Sequence, residues 1–234
     1  MKKGAKIALG IVGVLIVAGG AVTAWQWNNI NALRYGLTLD TDTLDQRLEE
    51  NKAALNQAMT DYQISEYTFT PEEIAQLTDG SLTAQEAAQK LLQPETPPET
   101  GAQPQSGGQT AAPAQSAQPL SPEEQEIKEL IATMYVLRTT YVGKLEAVVQ
   151  SAIDEYTAGE HTAENRTNVV YSKFDELTAM EKECDDQVAA VASRLRELLK
   201  ATGQNDTLAK QVEETYQEEK SLKKAYYLNE FRNG

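Results

Sequence analysis

The sequence predicts an all-α protein: an N-terminal transmembrane helix, a small helical unit, a disordered Pro/Gln-rich linker and an elongated antiparallel three-helix bundle resembling a coiled coil. Three observations predict this architecture. The chain begins with a long apolar run, six of its eight prolines lie in one stretch, and apolar residues elsewhere recur at steps of three and four. No segment alternates apolar and polar residues as a half-buried strand does.

The first 27 residues predict a signal anchor. Three lysines precede an apolar run over residues 7–24, and two tryptophans follow it. A helix of this length spans roughly 27 Å, close to the thickness of the hydrocarbon core. The positive flank places residues 1–6 in the cytoplasm, residues 7–27 across the lipid bilayer and the C-terminal part outside the cytoplasm. A signal peptide cleaved after Ala24 is the alternative, and the protein is then secreted.

The charge of the chain excludes nucleic acid as a partner. The 234 residues carry a formal charge of −14, and the exported part carries −17 once the three N-terminal lysines are set aside. A phosphate backbone is repelled by such a field. Cys184 is the only cysteine, so an internal disulfide is impossible. Because Cys184 lies on an apolar helical stripe, we expect a buried structural thiol.

Residues 28–92 are predicted to form a small membrane-proximal unit of three short helices. The first runs from about Thr41 to Asp61. The other two begin after the capping residues Thr70 and Thr83, each followed by a glutamate three positions later. Residues 93–120 are rich in Pro, Gln, Thr, Ser, Gly and Ala, with no aromatic residue. They cannot bury enough apolar surface to offset the entropy of ordering, so we expect a disordered linker.

Residues 121–232 are predicted to form the three-helix bundle. Apolar stripes indicate helices over about 122–157 and 163–201, and a third that ends near Phe231. Short connections between long amphipathic helices make neighbours antiparallel.

The residue inventory predicts neither an enzyme nor a metal or cofactor site. His161 is the only histidine, and no nucleophile stands at a fixed spacing from it, so it cannot anchor a zinc site or a catalytic triad. Four acidic residues cluster on the second bundle helix; we interpret them as a solvated face, with weak binding of divalent cations left open. These residues are Glu181, Glu183, Asp185 and Asp186.

The C-terminal segment combines aromatic and basic residues. Lysines near a helix C-terminus complement the helix dipole, and a partner-docking tip is the functional alternative. The candidate docking residues are Lys223, Tyr226, Tyr227 and Phe231.

The layout resembles that of signal-anchored extracytoplasmic helical proteins of clostridial-type bacteria. The resemblance is carried by the lysine-led anchor, the Pro/Gln linker and three short motifs, and it brings no assigned activity. The motifs are Asp79-Gly80, Leu82-Thr83 with Glu86-Ala87, and Lys223 to Leu228.

The expected function is that of a non-catalytic structural or interaction protein of the bacterial cell envelope. Its partner is expected to be another envelope protein or a second copy, with no small-molecule substrate. The alternative is an accessory or regulatory subunit of an envelope transport or secretion complex, acting through its transmembrane helix.

Overall fold

A computed structural model describes residues 24–65, 67–93 and 120–233. Every regular element in these ranges is an α-helix, which confirms the all-α prediction for this part of the chain. The helices are α1 (Ala24–Thr38), α2 (Thr41–Asp61), α3 (Pro71–Asp79), α4 (Ala84–Leu92), α5 (Pro122–Ala158), α6 (Ala163–Ala201) and α7 (Thr207–Asn233).

Local capping chemistry explains where several helices begin. The side chains of Thr70, Thr83 and Ser121 each accept a hydrogen bond from the backbone N–H three residues later. The glutamate at that third position accepts one in return from the backbone N–H of the capping residue. These capping boxes satisfy amides that have no partner within the helix. The boxes at Thr70 and Thr83 are those predicted from the sequence.

The helices that precede residue 93 pack on the long C-terminal helices. α5 and α6 form an antiparallel pair, and α7 packs most extensively against α1 and α2. α3 and α4 lie on α5, and one apolar cluster includes residues of α2, α3, α4, α5, α6 and α7. The described part of the small unit therefore shares its core with the predicted bundle.

The contact between α3 and α5 is close because α5 has a glycine there. A Cβ atom built on Gly143 would lie 2.8 Å from the Thr78 hydroxyl oxygen and 3.0 Å from a methyl carbon of Ile74. The first distance is shorter than a Cβ contact tolerates and the second is tight, so a larger residue here would force the side chains of α3 to shift.

Two sequence predictions lie wholly or largely outside the described residues. The predicted anchor covers residues 7–27, of which 7–23 lie outside the described residues. The predicted linker covers residues 93–120, of which 94–119 lie outside them. Of the helices in the described ranges, none is both long and apolar enough to span a bilayer. α1 is a helix that the sequence pattern did not predict.

Candidate functional site

Three buried ion pairs, made by six charged side chains, join α7 to α5 and α6. We call them the ionic cluster: Arg138 on α5, Glu181 and Asp185 on α6, and Glu219, Lys220 and Lys224 on α7. Three are cationic and three anionic, so their formal charges cancel although the chain is strongly acidic. Burying charges is costly unless each is paired, and each of these charges has a partner of opposite sign.

Lys220 and Asp185 form the centre of the ionic cluster. The Lys220 ammonium donates to both Asp185 carboxylate oxygens, at 2.7 and 2.5 Å, and the Tyr216 hydroxyl donates to one of them at 3.0 Å. The Lys220 side chain is completely buried, whereas that of Asp185 is 25% exposed. The Lys220 Nζ also lies 6.0 and 5.9 Å from the ring centroids of Tyr141 and Tyr216, within the range of cation–π attraction.

Glu181 and Lys224 form a second buried ion pair one helical turn away. Burial lowers the pKa of Lys224 below its ordinary value, although the Glu181 carboxylate opposes this effect. The Tyr141 hydroxyl is buried nearby without a hydrogen-bond partner among the described residues. Burial and the neighbouring carboxylates hold the pKa of Tyr141 well above its usual range, so this phenol stays protonated.

The third ion pair of the ionic cluster borders a cleft. Arg138 binds Glu219 in a bidentate arrangement, with its Nη2 donating to Glu219 Oε1 at 2.6 Å. The cleft has a volume of about 320 Å³ and lies between α2, α3, α5 and α7. Its lining includes Leu48, Val142 and a second cross-helix pair, Lys223–Glu146 at 3.5 Å. The basic groups on this side of the cleft are therefore already paired with carboxylates of the same chain.

The acidic group on α6 is only partly the solvated face that its composition predicts. Glu183 and Asp186 are exposed, but Glu181 is buried and Asp185 is half-buried. The interpretation as a solvated face is wrong for Glu181 and Asp185, because Lys224 and Lys220 of α7 pair with them. No group of three or more metal-binding side chains forms within the described ranges.

A sequence signal for the buried pairs existed. Glu181 lies four residues after Leu177 and three before Cys184, at a position of the apolar stripe itself. Lys220 lies four residues after Tyr216 and is likewise on the stripe of its helix. Charged residues at stripe positions of neighbouring helices predict buried charges that need partners, but they do not identify the partners. Glu181 pairs with Lys224 and Lys220 with Asp185.

Cys184 is buried, as predicted from its stripe position. Burial raises the pKa of its thiol to about 11. A thiol that is protonated and inaccessible at neutral pH is a poor nucleophile and metal ligand.

The residues of the predicted docking tip lie along α7 rather than at an exposed end. Lys223 is paired with Glu146, and Tyr226 packs against the apolar contact between α2 and α7. Tyr227 is half-buried, and burial and the Glu146 carboxylate raise its pKa to about 12. The Phe231 side chain lies outside the described atoms. Their role in binding a partner stays a prediction.

A different surface exposes large apolar side chains. We call residues 150–176 the hairpin arm: the end of α5, the loop at His161 and the start of α6. Within it only Val169 is buried, whereas Ile153 and Tyr171 are 51% and 46% exposed. The arm carries six acidic and two basic residues. Its two helices are joined by an ion pair between Lys173 and Glu155 at 3.1 Å.

No protein-family model, curated protein or solved structure matches the chain. The chain is therefore described by its own structure. Its described residues form an all-helical protein with a neutral ionic cluster in the core and an acidic, partly apolar hairpin arm.

Proposed function

We propose that this chain is a non-catalytic, membrane-anchored protein of the bacterial cell envelope whose helical body binds another envelope protein outside the cytoplasm. The observation that carries the proposal is the lysine-led apolar run over residues 7–24, whose length and flanks are those of a signal anchor. The pairing of the buried charges with one another supports a structural rather than a catalytic role for the ionic cluster.

The hairpin arm is the surface that best fits a protein partner. Ile153 and Tyr171 are large apolar side chains left half-exposed, and such side chains bury favourably in an interface. The net charge of the arm is −4, which opposes close pairing of two copies and favours a partner with a basic surface. The expected partner is thus an envelope protein with an apolar patch surrounded by lysine or arginine.

The topology is tested by labelling a cysteine introduced at Glu160, an exposed residue in the hairpin arm. A membrane-impermeant maleimide should label the full-length Glu160→Cys variant in intact cells, and the protein should stay in the membrane fraction after alkaline extraction. The unmodified chain is the labelling control because Cys184 is buried. Labelling only after cell lysis would contradict the proposed topology. Mass spectrometry of the native N-terminus separates an anchor from cleavage after Ala24.

The partner is tested by photo-crosslinking in cells. A photoreactive phenylalanine derivative at Tyr171 should crosslink to another envelope protein through a basic segment. The crosslink should disappear with Ile153→Glu and persist with Leu120→Glu, a matched control because Leu120 is equally exposed but lies outside the arm. No crosslink, or a crosslink only to a second copy, would contradict this assignment. If replacing residues 1–23 with an unrelated anchor abolishes the crosslink, the transmembrane helix is the binding surface instead.

A further inference from the structure

α1 lies unusually close to α7. A Cβ atom on Gly36 would approach the Ala225 carbonyl oxygen to 3.1 Å and the Leu228 Cβ to 3.3 Å. Ala32, one turn earlier on α1, is 2% exposed. Two small residues at this spacing let helix backbones pack closely, so α1 is fitted to the surface of α7 rather than loosely attached.

Polar contacts hold the same two helices in one alignment. The Asn229 side-chain amide donates to the Leu39 carbonyl oxygen at 2.7 Å, and the Tyr35 hydroxyl donates to Glu218 at 3.4 Å. Since later residues of α1 meet later residues of α7, the two helices run parallel.

The direction of α5 and α6 follows from their ion pairs. Lys220 pairs with Asp185 and Lys224 with Glu181, so α6 runs antiparallel to α7. Glu126 of α5 pairs with Arg194 of α6 and Glu155 with Lys173, so α5 runs antiparallel to α6 and therefore parallel to α1. The hairpin arm consequently lies at the end of the molecule opposite to Ala24, the first residue of α1.

We infer that α1 is a rigid coupling that holds the body upright on its membrane anchor and presents the hairpin arm away from the bilayer. Gly36 lies against Ala225 on α7, and the adjacent Lys224 pairs with Glu181, so Gly36 and Glu181 lie at about the same height. α1 rises about 18 Å from Ala24 to Gly36, and α6 rises about 27 Å from Glu181 to Ala163, so the arm ends roughly 45 Å above Ala24. In the other direction α6 descends about 28 Å from Glu181 to Lys200, so its Lys200 end reaches the bilayer surface. This inference rests on the proposed function, because it requires residues 7–24 to be in the membrane.

If α1 is the coupling, the predicted linker does not act as a tether between the membrane and the helical body. Residues 94–119 connect α4 to α5, and these two helices pack against each other. The linker therefore leaves and re-enters one packed body, and its length does not set the distance between the body and the membrane. That distance is set by α1.

The experiment measures energy transfer from a dye on the full-length protein to acceptor lipids in reconstituted vesicles. The dye is placed on Glu160→Cys in the hairpin arm or on Lys200→Cys, an exposed residue at the opposite end of α6. Transfer falls steeply with distance, so the Lys200→Cys protein should show several-fold higher transfer than the Glu160→Cys protein. Equal transfer from the two positions would overturn the inference.

Two further variants test whether α1 is responsible. Gly36→Leu should separate α1 from α7 and bring the two transfer values together, whereas Thr38→Leu, on the exposed face of α1, should leave them apart. Inserting a flexible Gly-Ser segment between Thr23 and Ala24 should have the same effect as Gly36→Leu without altering the body. If the insertion leaves the difference intact, α1 is not the coupling. Co-flotation of the protein with vesicles is scored separately: failure to float refutes the anchor, while flotation with equal transfer refutes only the coupling.

Discussion

Removing one member of the Lys220–Asp185 pair should destabilise the protein by an amount that depends on which member remains. Asp185→Asn leaves a completely buried ammonium without its carboxylate, with Lys224 close enough to repel it. Breaking a buried ion pair in this way costs about 3–5 kcal/mol. Lys220→Met leaves a carboxylate that is 25% exposed and still accepts a hydrogen bond from Tyr216, so we expect about 2 kcal/mol.

The double variant, Asp185→Asn with Lys220→Met, distinguishes the loss of the ion pair from the cost of each substitution by itself. With both charges removed, no unpaired ion remains, and the cost should fall well below the sum of the two single costs, with a coupling energy of about 2 kcal/mol. The assay is urea unfolding of the full-length chain in detergent, followed by helical circular dichroism.

A matched control lies on the same helix. Lys182 and Asp186 form an exposed i,i+4 pair, with side chains 74% and 67% exposed, so Lys182→Met and Asp186→Asn should each cost less than about 1 kcal/mol. The reasoning is refuted if Asp185→Asn costs no more than Asp186→Asn, or if the effects of Asp185→Asn and Lys220→Met are additive.

Three further predictions follow from other parts of the fold. Gly143→Leu should push α3 away from α5 and destabilise the protein by about 1–3 kcal/mol, with faster amide exchange over residues 71–92; unchanged exchange would contradict the close contact. Burial would raise the pKa of Glu73, but hydrogen bonds from Lys90, Thr70 and Tyr67 outweigh it and lower the pKa to about 2. Glu73 should therefore stabilise the fold fully above its ordinary pKa of 4.5 and progressively less as the pH falls toward 2, so Glu73→Gln should flatten the acid limb of the stability profile; an unchanged limb would contradict this. Cys184 should react with a thiol reagent at pH 7 only as fast as the protein unfolds, and rapid reaction of the folded protein would refute its burial.

Helix positions were the most predictable feature of this protein. Capping residues, prolines at the first turn and apolar periodicity are local signals. They located both ends of α2, α5 and α6 to within a residue, and the starts of α3 and α4. α1 was not predicted because its apolar residues form only a weak stripe directly after the long apolar run. Its order depends on the surface of α7, which local sequence does not reveal.

The candidate site was predictable only in part. Cys184 was correctly placed in the core because its neighbours on the stripe are apolar. The sequence predicts Glu181 on the solvated face, because a carboxylate is usually exposed. Its partner Lys224 is 43 positions away on another helix, where a lysine near the C-terminus was attributed to the helix dipole.

The sequence by itself determined that the described chain is helical and where its helices begin, because capping and periodicity act within a few residues. Only the tertiary structure decided that the helices before residue 93 pack on the long C-terminal helices, and that three lysine or arginine side chains are paired inside the core. Such choices depend on contacts between residues far apart in the chain. Three contacts show this: the close helix contacts at Gly36 and Gly143, and the pairing of Asp185 with Lys220. Each depends on a residue of another helix, so it cannot be read from the sequence around these residues.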